Sequence, residues 1–245
     1  MPFDEEIKTT REVARFGSQF LKTSEKFGSY LARVFGSIPE DVLGLAVGDW
    51  LHHKRKENLA KLQTRTASLL DQIDRSRFTE PSPSILLPLV KAAIDESRDE
   101  LQLIWATLLA ATMIDSGALV RRSYIMTLQQ MEPVDVLLMS ILGWINSNYE
   151  TIRKQIEPEV DRKFPNELSD SRNEFRKTLF KRVVRKKFHI KKSDDKELVI
   201  SGFRLVSLEC VDKRSVNYND VGFGAWLTPY GEGLIKACDP KTIIG

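Results

Sequence analysis

The chain is poor in the residues that build metal and redox sites, with two cysteines and three histidines among 245 residues. Cys210 and Cys238 lack the C-x-x-C spacing of zinc and redox motifs, so reduced thiols are predicted. His52 and His53 are adjacent and would project about 100° apart on a helix, whereas paired helical zinc ligands stand four residues apart. Because His189 stands alone in the sequence, we predict no metal site.

Other absences exclude whole function classes. No run of about 18 uncharged apolar residues is present, so no membrane-spanning helix is predicted. The N-terminus, M-P-F-D-E-E-I-K, is acidic and has no apolar core, unlike a secretory signal. No G-x-S-x-G elbow occurs, and carboxylate pairs such as Asp194 and Asp195 fit solvated caps and turns. We therefore expect a cytoplasmic, non-enzymatic protein with no catalytic residue, no cofactor and no small-molecule substrate.

Two glycines near the C-terminus, in L-T-P-Y-G-E-G-L-I-K-A-C-D-P (227–240), suggest a phosphate-binding loop at first sight. A dinucleotide loop needs G-x-G-x-x-G, but Lys236 stands at the third glycine position, and the G-K-[ST] of a Walker loop is absent. We interpret the segment as a structural helix with Thr228 as N-cap and Pro229 in its first turn. Gly231 and Gly233 would let this helix approach a preceding hairpin closely.

Apolar residues recur at helical spacing through the first two thirds of the chain, which predicts an all-α region. We expect a helix within 10–36 and one long helix from Glu40 to about Arg77. Two shorter helices are expected, one through Leu89, Ala92 and Ala93 and one that carries Tyr124, Ile125 and Leu128. Ser97 and Glu100 form a capping-box pattern that would open a helix ending near 115–117. A further helix begins at Pro133, and its expected inward residues are Leu137, Leu138, Ile141 and Ile145.

The pattern changes after about residue 157. A loop at 165–170 and the basic helix come first. Residues 197–211 mix helix and strand signals, and we favour a helix to about Ser207 followed by a strand, although a strand at 197–207 stays open. A second strand at 221–228 precedes the terminal helix. Helix, hairpin and terminal helix in this order are typical of a winged-helix domain. The predicted fold is mainly α, with a helical bundle at 1–157 and a small α+β winged-helix-like domain with a short β-hairpin at 158–245.

The basic stretch 172–192 is the strongest functional signal. It holds ten lysines and arginines and a single acid, Glu174, although the net charge of the chain is only +3. Apolar residues at helical spacing make it amphipathic. Its cationic face could contact nucleic-acid phosphates or anionic lipid, or could be the solvated side of an ordinary core helix. The candidate binding residues are Arg176, Lys177, Lys181, Arg182, Arg185, Lys186 and Lys187.

Other partners are predicted from amphipathic and small-residue patterns. The long amphipathic helices could pair with a partner protein or with a second copy of the chain. G-L-A-V-G, residues 44–48, fits close helix packing, and the segment 42–51 leaves peripheral membrane contact open. Three classes therefore remain: a protein that acts by binding, a nucleic-acid-binding winged-helix regulator, and a membrane-acting effector. A nuclease is the least favoured alternative.

Three segments carry a family resemblance. They are D-E-L-Q-L-I-W-A-T-L-L-A-A-T (99–112), M-E-P-V-D-V-L-L-M-S-I-L (131–142) and L-T-P-Y-G-E-G-L-I-K-A-C (227–238). Together they resemble the abortive infection alpha family, over about residues 35–240. The resemblance implies a cytoplasmic bacterial protein associated with resistance to bacteriophage. The motifs are mostly apolar packing residues, and no active-site residue is carried over from them.

Overall fold

Helices account for the regular structure in the residues that the computed structural model describes, 50–165, 170–213 and 226–244. Short 3-10 helices lie at Arg75–Arg77, Asp115–Gly117 and Lys192–Asp194. The α-helices are α1 (Trp50–Leu70), α2 (Pro83–Asp95), α3 (Asp99–Thr112), α4 (Arg122–Gln129), α5 (Pro133–Lys163), α6 (Asp170–Phe188), α7 (Asp195–Ser207), α8 (Pro229–Cys238) and α9 (Pro240–Ile244).

Contacts group the chain into two compact units, Met1–Met131 with Lys236–Gly245, and Glu132–Ile235. In the first unit, α1 packs against α2 and α3, and α9 contacts α1 and α3. Its buried residues recur at helical spacing, as Leu101, Trp105 and Leu108 do on α3, and this burial of apolar surface stabilises the unit.

The second unit is built on α5, which packs against α6 and α7. α5 and α6 run antiparallel, because Phe164 contacts Phe175 at one end and Trp144 contacts Phe188 at the other. Arg204 of α7 donates to the fully buried Asp135 carboxylate at the start of α5, at 2.8 Å. Removing the Arg204 side chain would leave the buried Asp135 carboxylate without its counter-charge, so the pair fixes α7 against α5.

Most helices predicted from apolar spacing are confirmed, among them α2, α3, α4, α6 and α7. Pro133 occupies the first turn of α5 as predicted. The predicted helix within 10–36 and the first part of the long helix lie outside the described residues. That long helix ends at Leu70 rather than near Arg77, because the chain passes through a turn into a 3-10 helix.

Two local predictions are wrong. Ser97 does not cap α3; its N-cap position is Arg98, without a side-chain cap hydrogen bond. Ser97 lies one residue before the N-cap, where the carboxylate of Glu96 accepts the Arg98 backbone N–H at 2.9 Å. Leu137 is 43% exposed and does not belong to the inward stripe of α5. The buried stripe includes the other three predicted residues, Leu138, Ile141 and Ile145.

The winged-helix prediction is not supported, because no sheet is found in the part of the chain that the structure describes. Val211 and Leu227 do form an antiparallel bridge, flanked by hydrogen bonds from Asp212 N–H to the Trp226 carbonyl and from Thr228 N–H to the Cys210 carbonyl. A single bridge is not a hairpin ladder. Most of the predicted second strand, 221–225, lies outside the described residues.

The predicted domain boundary at residue 157 lies inside α5, a continuous helix that passes through Pro158. Contacts divide the chain between Met131 and Glu132 instead. The division of the chain into two folded domains, 1–157 and 158–245, stays a prediction.

Candidate anion-binding groove

The apolar stripe of α6 is a packing surface. Leu179 joins Ile152, Ile156 and Val160 of α5 in a buried cluster, and Phe175, Phe180 and Val183 pack against it. Burial of this stripe against α5 holds the helix in place. The stripe is therefore occupied from within the chain and is not presented as a face that could insert into lipid.

The N-terminal half of α6 is neutralised by carboxylates of α5. Arg172 donates to Glu157 at 3.0 Å and also bonds Asp161. Arg176 forms a two-point contact with Glu157, with Nε to Oε2 at 3.1 Å and Nη2 to Oε1 at 2.7 Å. The Arg176 guanidinium, with help from Arg172, holds the pKa of the Glu157 carboxyl below its usual range. These arginines fasten α6 to α5.

The C-terminal half of α6 borders an open groove of about 920 Å³. Six lysines and arginines line it together with His189, and none of the lining residues that the structure describes is acidic. The lining residues are Thr178, Lys181, Arg182, Arg185, Lys186, His189, Ile190, Lys191 and Lys192. A concave surface lined by one sign of charge concentrates counter-ions of the other sign, so the groove is suited to an anion.

A chain reversal after α6 completes the groove. His189 adopts a left-handed conformation with φ of 55°. The next N–H, that of Ile190, donates to the Arg185 carbonyl at 3.0 Å, which is the long bond of a Schellman helix end. The chain thereby turns back, and Lys191 and Lys192 line the same concavity as the helix.

A carboxylate fixes the segment after the reversal. Asp194 accepts the backbone N–H of Lys191 at 2.9 Å and the hydroxyl of Ser193 at 2.8 Å. These hydrogen bonds, the backbone one foremost, hold the pKa of Asp194 below its usual range. The backbone that carries Lys191 is therefore held in one conformation.

The groove cations differ in how they are paired. Arg185 is held by both carboxylate oxygens of Asp195, at 2.5 and 2.7 Å. Arg182 is 64% exposed and lies 3.6 Å from Glu159, too far for a short hydrogen bond. Lys186 and Lys192 make no ion pair with any residue of the described ranges. The groove therefore combines one braced arginine with several cations that can reach a ligand.

Four of the seven residues predicted from sequence line the groove: Lys181, Arg182, Arg185 and Lys186. Three do not. Arg176 is bound to Glu157, Lys177 pairs with Glu174 of its own helix at 2.7 Å, and Lys187 is exposed outside the groove.

The sequence prediction omitted five of the described lining residues: Thr178, His189, Ile190, Lys191 and Lys192. The last two belong to the same basic stretch, so the charge run itself was the available signal. Their position beside α6 depends on the left-handed turn at His189, and no glycine marks that turn in the sequence.

Gly231 serves packing at the start of α8. The Thr228 hydroxyl accepts the Gly231 N–H at 3.0 Å, which confirms the predicted N-cap. A Cβ on Gly231 would lie 2.1 Å from the Cys210 carbonyl oxygen, so only glycine permits this approach of α8. Burial, with the Asp135 carboxylate nearby, raises the pKa of the Cys210 thiol to about 12. The thiol is therefore protonated at neutral pH and unsuited to nucleophilic attack.

Two surveys concern only the ranges that the structure describes. Within them, no three histidine, cysteine, aspartate or glutamate side chains are grouped as metal ligands would be. Within the same ranges, every helix is too short or too polar to cross a bilayer.

A comparison with known protein families gives one match. The family model described as abortive infection alpha matches residues 54–222, well over half of the chain. The match includes two of the three resembling segments, 99–112 and 131–142, and all residues of the groove. No curated protein and no solved structure matches the chain. The chain therefore belongs to the abortive infection alpha (Abi_alpha) family.

Proposed function

We propose that this chain is a bacterial phage-defence protein of the abortive-infection type, which acts in the cytoplasm by binding a partner and not by catalysis. The observation that carries the proposal is the family match over residues 54–222, which spans both the packing motifs and the basic groove. The family's name supplies the biological setting, and the groove supplies a place for an anionic partner.

Binding is supported by the way that the charges are arranged. The cations at the C-terminal end of α6 converge on one concavity, while those at its N-terminal end are held by α5. Convergent cations attract and orient an anion without any bond being broken.

A membrane-acting effector is the less supported alternative. Its strongest sequence argument was the segment 42–51, and residues before Trp50 lie outside the described ranges. The other amphipathic candidate, α6, has its apolar stripe packed against α5. A regulator with a winged-helix domain loses its structural basis, because the described residues hold no sheet.

The test compares phage plating and culture survival for cells with and without the protein, at low and high phage dose. We expect fewer plaques and surviving cultures at low dose, and collapse of the culture at high dose. A groove variant, Lys186→Glu with Lys192→Glu, should lose protection, whereas the neighbouring surface variant Lys187→Glu should retain it. Unchanged plaque numbers across a broad phage panel, with the protein present at normal levels, would contradict the proposal.

A further inference from the structure

We infer that the partner of the groove is a nucleic acid, whose phosphodiester backbone is bound without reading of base sequence. This inference deepens the proposed function by naming the partner of the same groove. It rests on six lysines and arginines that line one concavity. They come from α6, from the turn that follows it, and from the first residue of the next 3-10 helix.

The charge density of the groove is not explained by the fold. Lys181 and Arg185, like Arg182 and Lys186, stand four residues apart on α6, where like charges destabilise a helix. Cations in the last turn are favoured by the helix dipole, but Lys181 and Arg182 precede that turn and Lys191 and Lys192 follow the helix. A ligand of opposite charge would offset this repulsion.

The dimensions of the groove favour an extended polyanion over a small ion. An open volume of about 920 Å³ is large for a single phosphate, and its cations lie on the last two turns of α6 and on the segment that follows the chain reversal. Arg185, braced by Asp195, presents a fixed guanidinium, while Lys186 and Lys192 are flexible point charges that can follow a phosphate. Arg185 is accordingly a positioning residue within the groove, and Arg182, Lys186 and Lys192 are the main phosphate contacts.

A lipid surface fits the same features poorly. A flat bilayer does not enter a concavity, and interfacial helices bind by burying an apolar face, which α6 already buries against α5. The apolar surface of the described lining comes from Ile190 and from the stems of the lysines and arginines, which carry charged ends and do not form an insertable apolar face.

The described lining lacks the side chains that read adenine or cytosine edges: none of its residues is asparagine, glutamine, aspartate or glutamate. Its arginines and lysines could contact guanine, so comparison of unrelated sequences tests whether they contact phosphates alone. Lysines and arginines that contact phosphates fix affinity and carry no sequence information directly.

The experiment measures fluorescence anisotropy of labelled oligonucleotides of about 20 residues, longer than common single-strand binding sites. Duplex DNA, single-stranded DNA and single-stranded RNA are compared, each in two unrelated sequences, with the full chain. We expect binding that differs little between sequences. The affinity should fall steeply between about 50 and 200 mM salt, with a log–log slope of about −3 to −5 if most of the groove cations engage.

Charge reversal then locates the contact. Lys186→Glu with Lys192→Glu should weaken binding on the order of 100-fold and lower the magnitude of the salt slope by about 2. Lys187→Glu, adjacent in sequence but outside the groove, and Lys154→Glu on α5 are matched controls and should each change affinity less than about threefold. Circular dichroism and melting temperature show whether each variant is folded. If the double variant unfolds, Lys186→Gln alone is used, with a loss of about five- to tenfold expected.

Several outcomes would overturn the inference. They are equal losses for Lys186→Glu and Lys187→Glu, binding that ignores salt, and binding to phosphatidylserine vesicles or to polyglutamate but to no oligonucleotide. Gel analysis of the probe after incubation separates binding from cleavage, and a shortened probe would contradict the non-enzymatic proposal. Groove-dependent oligonucleotide binding without phage protection would reject only the proposed function. Phage protection that the groove variants retain would reject a role for the nucleic-acid contact while leaving the defence function standing.

Discussion

The two halves of α6 carry similar cations in different settings. In the N-terminal half, Arg172 and Arg176 face Glu157 and Asp161 of α5, and their charges are used within the unit. In the C-terminal half, Arg185 is paired with Asp195 and Arg182 lies 3.6 Å from Glu159, whereas Lys186 and Lys192 line the groove without an ion pair to a described residue. The same residue types therefore fasten the helix at one end and line a groove at the other. The position of each cation relative to a carboxylate, and not the number of charges, separates the two settings.

The largest expected effect comes from the apolar stripe that both halves share. Leu179→Ala should lower the free energy of unfolding by about 2–4 kcal/mol, because it leaves a cavity between α5 and α6. Urea denaturation followed by circular dichroism measures the change. Lys187→Ala, on the exposed surface of the same helix, is the control and should change stability by less than about 0.5 kcal/mol. Equal stability of Leu179→Ala and the parent chain would show that α6 does not depend on its contact with α5.

Acid should weaken the ion pairs between the N-terminal half of α6 and α5. The folded pKa of Glu157 is below its unfolded value, so its ion pairs stabilise the protein above the unfolded pKa, about 4.3 for glutamate. That contribution is lost as pH falls below this value and through the folded pKa. The wild type should therefore be more stable than Arg176→Gln at pH 7, and the two should converge near pH 3. Melting temperatures across this range provide the measurement, and a difference that does not narrow in acid would argue against the pair.

Substitutions at His189, in the turn beside the groove, should have a smaller effect on the free energy of unfolding. A left-handed conformation costs a residue with a Cβ about 1 kcal/mol, so His189→Gly should leave stability unchanged or raise it by up to about that amount. His189→Val should lower it, because a β-branched residue resists this conformation. Comparison of the two melting temperatures checks the prediction, and it fails if valine is tolerated as well as glycine.

The smallest expected effect is the most informative about the C-terminal half. Lys186→Gln removes one of two like charges four residues apart, which favours the variant by about 0.2–0.5 kcal/mol, and also removes a last-turn cation that the helix dipole favours by a similar amount. The free energy of unfolding should therefore change by less than about 0.5 kcal/mol, and any difference should shrink at high salt, where both effects are screened. A loss of more than about 1 kcal/mol would mean that Lys186 is used within the fold, as Arg176 is.

Sequence periodicity identified the helices because burial of one face imposes a spacing that is local in the chain. Apolar residues of α3 and α6, such as Trp105 and Leu179, therefore appeared at the correct positions. The charge run also located α6. Residue spacing could not predict which cations of α6 pair with a carboxylate. Arg176, for example, pairs with Glu157 of another helix, 19 residues away in the sequence.

The remaining differences have similar physical causes. The reversal at His189 uses a left-handed residue that is not glycine, so no turn signal marks it, and the contribution of Lys192 to the groove was not predicted. The winged-helix prediction was drawn from short β-prone runs around 208–228. In the described part of that region, Val211 and Leu227 form one bridge and no sheet.

A paired measurement on two charge-altering variants tests most directly whether the two halves of α6 have separate roles. Melting temperature and oligonucleotide affinity are determined together for Arg176→Gln and for Lys186→Glu with Lys192→Glu, at neutral pH and low salt. We predict that the first variant loses melting temperature and keeps its affinity, while the second keeps its melting temperature and loses affinity. If both variants lose the same property, the two halves of α6 do not have the separate roles that their contacts assign.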